Sequence, residues 1–201
     1  MREDPRARAR PSTGSRETAR PRGERPHEPA RPEPAQPEPA QPEPAQPERG
    51  QGHPGPTSVV LRDVLREALI EHARHEYPNE ACGIVVGDRP AAEGGIALRF
   101  AATRNEVASP LRYRIHADDA LRLTIETDDA DEVFWAIFHS HVRSPAVPSP
   151  TDVQAAQYPE ALYILVSLAE SQADPVTGQP SVRGWRIIDG APYEVELAQA
   201  D

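Results

Sequence analysis

The stretch Glu132–Val153 reads EVFWAIFHSHVRSPAVPSPTDV. Its first half, EVFWAIFHSH, is an apolar and aromatic run of strand length. It predicts a strand buried on both faces for most of its course. Side chains two apart on a strand share a face, so His139 and His141 emerge side by side where that strand stops. Prolines 145, 148 and 150 then restrict the paths by which the chain can return. Ser149-Pro150-Thr151-Asp152 has the form of a helix start: a capping box with Asp in place of Glu, and proline at the first helical position. Two imidazoles, one carboxylate and an open fourth position make the catalytic arrangement for zinc. An isolated His-x-His is more often a surface polar pair, and the capping box alone accounts for Ser149 and Asp152. The functional reading therefore rests on their conjunction: His-x-His, seven residues, Ser, two residues, Asp.

Outward from this stretch the pattern alternates strands and helices. SVVLR reads as a first strand. DVLREALIEHARHEYP carries a helical apolar stripe at Val64, Leu65, Ala68, Leu69 and Ala73, with Asp63 as N-cap and Pro78 as terminator. ACGIVVG is a short β-branched run closed by glycine, a buried strand. GIALRFAAT and YRIH read as further strands. ADDALRLTIETDDAD is a helix with Leu121, Leu123 and Ile125 inward. TDVQAAQY starts a short helix, and ALYILVSL, VRGWRIID and PYEVELA complete the sheet. Interspersed helices and strands predict a single α/β (α+β) domain with a mixed, largely antiparallel sheet flanked by helices, over residues 57–201. Some 145 residues are enough for one good core.

Residues 1–56 hold 14 of the 24 prolines, almost nothing apolar larger than alanine, and a repeated PEPAQ unit from Pro32. Such a segment cannot bury enough surface to offset its ordering entropy, which predicts a disordered tail. Residues 57–201 carry twelve Arg and 23 acidic residues, a net charge of −11. That charge repels phosphate backbones and excludes a nucleic-acid reader. No apolar run approaches a membrane span. The single cysteine, Cys82, excludes a disulfide within the chain, so a reducing cytoplasm is the expected compartment. Cys82 lies in an apolar strand, where a thiol is ordinarily a small buried hydrophobe and not a nucleophile. His72, His75 and His116 read as non-ligands.

The spacing of residues 139, 141, 149 and 152 resembles the JAMM motif of the MPN metallopeptidase family. The family pattern also has an upstream glutamate before Cys-Gly and a buried strand, and PNEACGIVVG supplies it as Glu80. NEVASPLRYRIHADD and QYPEALYILVSL are similar to the bacterial branch, most of all to actinobacterial peptidases that release cysteine from a ubiquitin-like sulfur carrier. The resemblance implies an MPN-like fold and Zn²⁺ held by His139, His141 and Asp152. It implies Glu80 as the acid–base residue and Ser149 as hydrogen-bond donor to the oxyanion. The implied substrate is a ubiquitin-like sulfur-carrier protein with a C-terminal Gly-Gly tail, cut between that glycine and cysteine. Two alternatives stand beside it. One is a zinc isopeptidase that removes a ubiquitin-like modifier from lysines. The other is a non-catalytic MPN binding module.

Overall fold

The apolar run after Glu132 forms Val133–His141 (β4), the strand around which the rest is ordered. The computed structural model describes residues 55–200. The tail expected over residues 1–56 lies, except for its last two residues, outside the described residues. Around β4 stand Ser58–Arg62 (β1), Asp63–Glu76 (α1), Cys82–Gly87 (β2), Ala97–Thr103 (β3) and Ala117–Asp129 (α2). After it come Pro150–Ala155 (α3), Leu162–Ser167 (β5), Ser181–Ile188 (β6) and Ala191–Ala200 (β7). The seven strands form one sheet in the order β1-β7-β6-β5-β4-β2-β3. The pairs β1–β7 and β4–β5 are parallel and the other four antiparallel, the mixed sheet that the sequence predicts.

β4 is interior to the sheet, paired along both edges by β2 and β5, and a core cluster covers each of its faces. On one face Phe138 joins Leu65 and Leu69 of α1 and Ile164 of β5. On the other, Ile137 joins Leu123 of α2, Leu165 and Trp185. His139 and His141 share the parity of Ile137 and so emerge on the α2 face. β2 packs with no exposed residue, and Gly83 shows how tightly. A Cβ there would lie 2.7 Å from the carbonyl oxygen of Ala101 on β3. Among the described residues no helix is long and apolar enough to cross a membrane.

Three local expectations are corrected. Arg62, not Asp63, is the N-cap of α1, and no side chain caps it. Arg62 is still paired with Ala200 in β1, so strand passes into helix without a linker, and Asp63 becomes the first helical residue. Its negative charge suits that position. YRIH forms no strand; Ile115 makes only an isolated bridge to Asn105. The Asn105 side chain binds Arg112 O and Arg114 N, while Arg114 O and His116 N pair with the backbone of Glu106 and Arg104, so the segment closes a loop on itself. On α2, Leu123 and Thr127 are buried, whereas Leu121 and Ile125 are 62% and 53% exposed. Thr127 tolerates burial because its hydroxyl donates to Leu123 O within the helix.

The orientation of α2 is open to direct test. Leu123→Ala, which empties a core position, should cost about 2–5 kcal/mol in urea unfolding. Leu121→Gln should change stability by no more than about 0.5 kcal/mol. Equal losses would mean that the helix is rotated from the orientation described.

Candidate metal centre

Three donor atoms converge at the end of β4. Nε2 of His139 and Nε2 of His141 are 3.2 Å apart, and each lies 3.5 Å from Oδ2 of Asp152. The strand sets the two rings on one side. The helix start sets the carboxylate: Ser149 is the N-cap of α3, Pro150 follows, and both halves of the capping box form. Ser149 donates to Asp152 Oδ2 from its amide and from its hydroxyl, both at 2.7 Å. The same hydroxyl oxygen accepts from Asp152 N at 3.2 Å.

The loop between strand and helix is held by three side chains from three adjacent strands. Ser167 Oγ donates to Ser144 O at 2.7 Å, His141 Nδ1 to Pro145 O at 2.6 Å, and Trp185 Nε1 to Ala146 O at 2.9 Å. A carbonyl can only accept, so Nδ1 of His141 carries a proton, and in the neutral ring it is Nε2 that offers the lone pair. The ring of His139 is fully buried and stacks on Tyr113, centroids 4.3 Å apart and planes 17° from parallel.

This donor set fits a single divalent cation. Ligands on a tetrahedral ion with bonds of about 2.0–2.1 Å lie about 3.3 Å from one another, and the observed separations are 3.2–3.5 Å. The protonation states agree for Asp152 and His139; at His141 hydrogen bonding to Asp152 and Pro145 O overcomes burial and raises the pKa, so a bound cation would displace a proton there. Burial alone would raise the pKa of Asp152, but the two imidazoles 3.5 Å away and the hydrogen bonds from Ser149 outweigh it and hold the carboxylate ionised. Burial drives His139 toward its neutral form, against the pull of Asp152. His72, His75 and Glu76 also lie near one another, at the end of α1. There His72 Nε2 is bonded to Cys82 O at 3.1 Å, and its ring packs against Phe100 and Phe138. His116 is the N-cap of α2, its ring nitrogen accepting from Asp118 N.

Glu80 is brought to this group from far away in sequence. It is 4% exposed, and its pKa rises to about 7. Burial is the main cause; the Asp152 charge adds to it and His141 opposes it. The next residue, Ala81, joins β4 between the two histidines. Ala81 N donates to Ser140 Oγ at 2.8 Å, and Ser140 N donates to Ala81 O at 3.0 Å. Ser140, Asn105 and Tyr113 are the site residues that sequence reasoning did not single out. For Ser140 a signal existed, a small polar residue inside an otherwise apolar strand. For the other two none did.

Cys82 is fully buried, with Thr103 Oγ1 3.4 Å and Arg104 O 3.6 Å from its sulfur. Burial pushes the thiol up to about 11, so it is neither exposed nor ionised.

Residues 62–187 match the family described as prokaryotic homologs of the JAB domain. The chain belongs to that family and is by class a JAB-type peptidase, a hydrolase. It is 37% identical over 140 residues to the CysO-cysteine peptidase of Mycobacterium tuberculosis, covering 68% of this chain and 87% of that one. It is 28% identical over 107 residues to the desampylase of Haloferax volcanii, covering 51% and 75%. A solution structure of a protein from Desulfitobacterium hafniense superposes with a TM-score of 0.61 at 27% identity, covering 71% of this chain and 93% of that one.

The burial of Cys82 predicts its chemistry. At pH 8 only about one thiol in a thousand would be ionised. Iodoacetamide should label Cys82 fully in urea and negligibly in the native protein, as read by intact mass. Rapid native labelling would contradict the burial described.

Proposed function

We propose that the protein is a zinc-dependent peptidase that hydrolyses the amide between the C-terminal glycine of a ubiquitin-like sulfur-carrier protein and cysteine, releasing free cysteine. The observation that carries the chemistry is the convergence of two imidazole Nε2 atoms and Asp152 Oδ2 beside the buried carboxyl of Glu80. Similarity to a CysO-cysteine peptidase supports the substrate class.

In this reading His139, His141 and Asp152 hold the ion through those three atoms. Zinc, when bound, supplies Lewis acidity and makes hydroxide available near neutral pH. Glu80 takes the proton of the attacking water and passes it to the leaving amine of cysteine. A carboxyl held near 7 can do both at neutral pH. Ser149 donates its hydroxyl hydrogen to the developing oxyanion by rotating it away from Asp152 Oδ2. Its lone pair can keep the cap on Asp152 N meanwhile. Water is thereby added across one amide, giving a carrier glycine carboxylate and the amine of cysteine.

Similarity to a desampylase favours a second reading, release of a ubiquitin-like modifier from protein lysines. The two differ in product. A binding-only role would leave the convergent donors and Glu80 without a use.

A sulfur carrier bearing C-terminal cysteine should lose one cysteine by mass, stop doing so with chelator, and resume with zinc. No cleavage by protein shown to hold zinc would reject this substrate and turn attention to lysine conjugates. Glu80→Gln should keep its zinc and lose about 10²–10⁴-fold in turnover; full activity would remove Glu80 from the mechanism. Ser149→Ala should lose turnover about 10²–10³-fold and about 1 kcal/mol of stability from the lost cap. A stability loss alone would leave Ser149 as a cap only.

A further inference from the structure

The segment that follows β3 grips Glu80 by its main chain. Glu80 stands before the first residue of β2, outside the strand ladder, so no sheet pairing fixes its backbone. Its amide donates to Ser109 O at 2.8 Å, and its carbonyl accepts from Asn105 Nδ2 at 2.9 Å. Among the described residues its carboxyl receives no hydrogen bond, so the placement of that carboxyl depends on the backbone beneath it.

Asn105 is the keystone of that segment. Its Oδ1 accepts from Val107 N at 3.2 Å and Arg114 N at 3.0 Å. Its Nδ2 donates to Glu80 O at 2.9 Å and Arg112 O at 3.1 Å. Two N–H groups on one side and two carbonyls on the other fix the amide's orientation. Three of these bonds fold the segment on itself, and the fourth reaches out to Glu80. The same segment lays Tyr113 on the ring of His139. Aspartate would present oxygen to both carbonyls, glutamine is one methylene too long, and serine offers one donor where two are used.

We propose that Asn105 is a positioning residue for the reaction, acting through the backbone of Glu80. This rests on the reading of Glu80 as the proton carrier. A displaced carboxyl would still lie near the site but out of line with the proton it must move. A misplacement of about 1 Å can cost about 100-fold in rate.

The test is a double-mutant cycle in the zinc-loaded full chain, with wild type, Asn105→Asp, Glu80→Gln and the double variant. It reads kcat, KM, zinc content and amide exchange of residues 79–81. Asn105→Asp should lower kcat roughly 10- to 100-fold, leave KM and zinc content unchanged, and speed exchange at Glu80. In the Glu80→Gln background it should add no further loss. Should Asn105→Asp not fold, Asn105→Ser, which leaves one donor in place of two and adds no charge, is read in the same way. An equal loss in both backgrounds, or a loss that follows zinc content, would reduce Asn105 to a loop staple and overturn the proposal. So would an unchanged kcat in Asn105→Asp alongside an inactive Glu80→Gln. An active Glu80→Gln would instead overturn the role of Glu80 itself, and this proposal with it.

Discussion

Ser140 lies between the two histidines of β4, and its hydroxyl oxygen accepts the amide hydrogen of Ala81 at 2.8 Å. With the return bond from Ser140 N to Ala81 O, it extends the β2–β4 pairing past Cys82↔His139. This junction fixes the segment that carries Glu80 against the strand that carries the two imidazoles. Period-two geometry does the rest: Ser140 points to the α1 face while His139 and His141 point to the α2 face. One strand therefore anchors Glu80's neighbour with one residue and presents donors with the two beside it. A one-residue slip in this register would turn both histidines toward the wrong side of the sheet.

The loop from Val142 to Ser149 receives comparable support from outside itself. Its consecutive carbonyls at Ser144, Pro145 and Ala146 accept from β5, β4 and β6 in turn. Each bond satisfies a backbone acceptor that a loop passing over a core would otherwise leave unpaired. Together they bring the start of α3, and with it Asp152, to a fixed place opposite the rings. The prolines narrow the conformations available to the chain before folding, and the side-chain donors select one of them.

The fold was legible where burial is continuous. β2, β4 and β5 are apolar runs, and the structure confirms them as strands. It was less legible where only half a surface is buried. The stripe on α2 was read through Leu121 and Ile125, but a short helix against one face of a sheet buries only a narrow strip, and Thr127 completes it by satisfying its own hydroxyl. The YRIH segment has strand composition, yet its backbone groups go to the loop that precedes it: Arg114 N to the Asn105 side chain, Arg114 O and His116 N to Glu106 and Arg104. At the site, His139, His141, Ser149 and Asp152 are close in sequence and could be read from spacing. Glu80 came only from the family resemblance, because no local pattern announces which of many acidic residues folding will bury. Tyr113 and Asn105 act through contacts made only in the folded chain.

The two carboxylates of the site have opposite settings, and hydrogen bonding is what separates them. Asp152 accepts hydrogen bonds from the amide and hydroxyl of Ser149 and lies 3.5 Å from each imidazole. Despite burial it stays ionised, the state that the proposed metal ligation requires. Glu80 is buried as well, but among the described residues nothing donates to its carboxyl. Desolvation therefore dominates, and the charge of Asp152 adds to it, bringing the group to about 7. A carboxylate locked by donors keeps its charge; one held only through its backbone is free to gain and lose a proton near neutrality. The capping box that looks purely structural in the sequence is thus part of what sets the two groups apart. It ties up the carboxylate of Asp152, and the loop around Asn105 holds the main chain of Glu80 while leaving its carboxyl untouched.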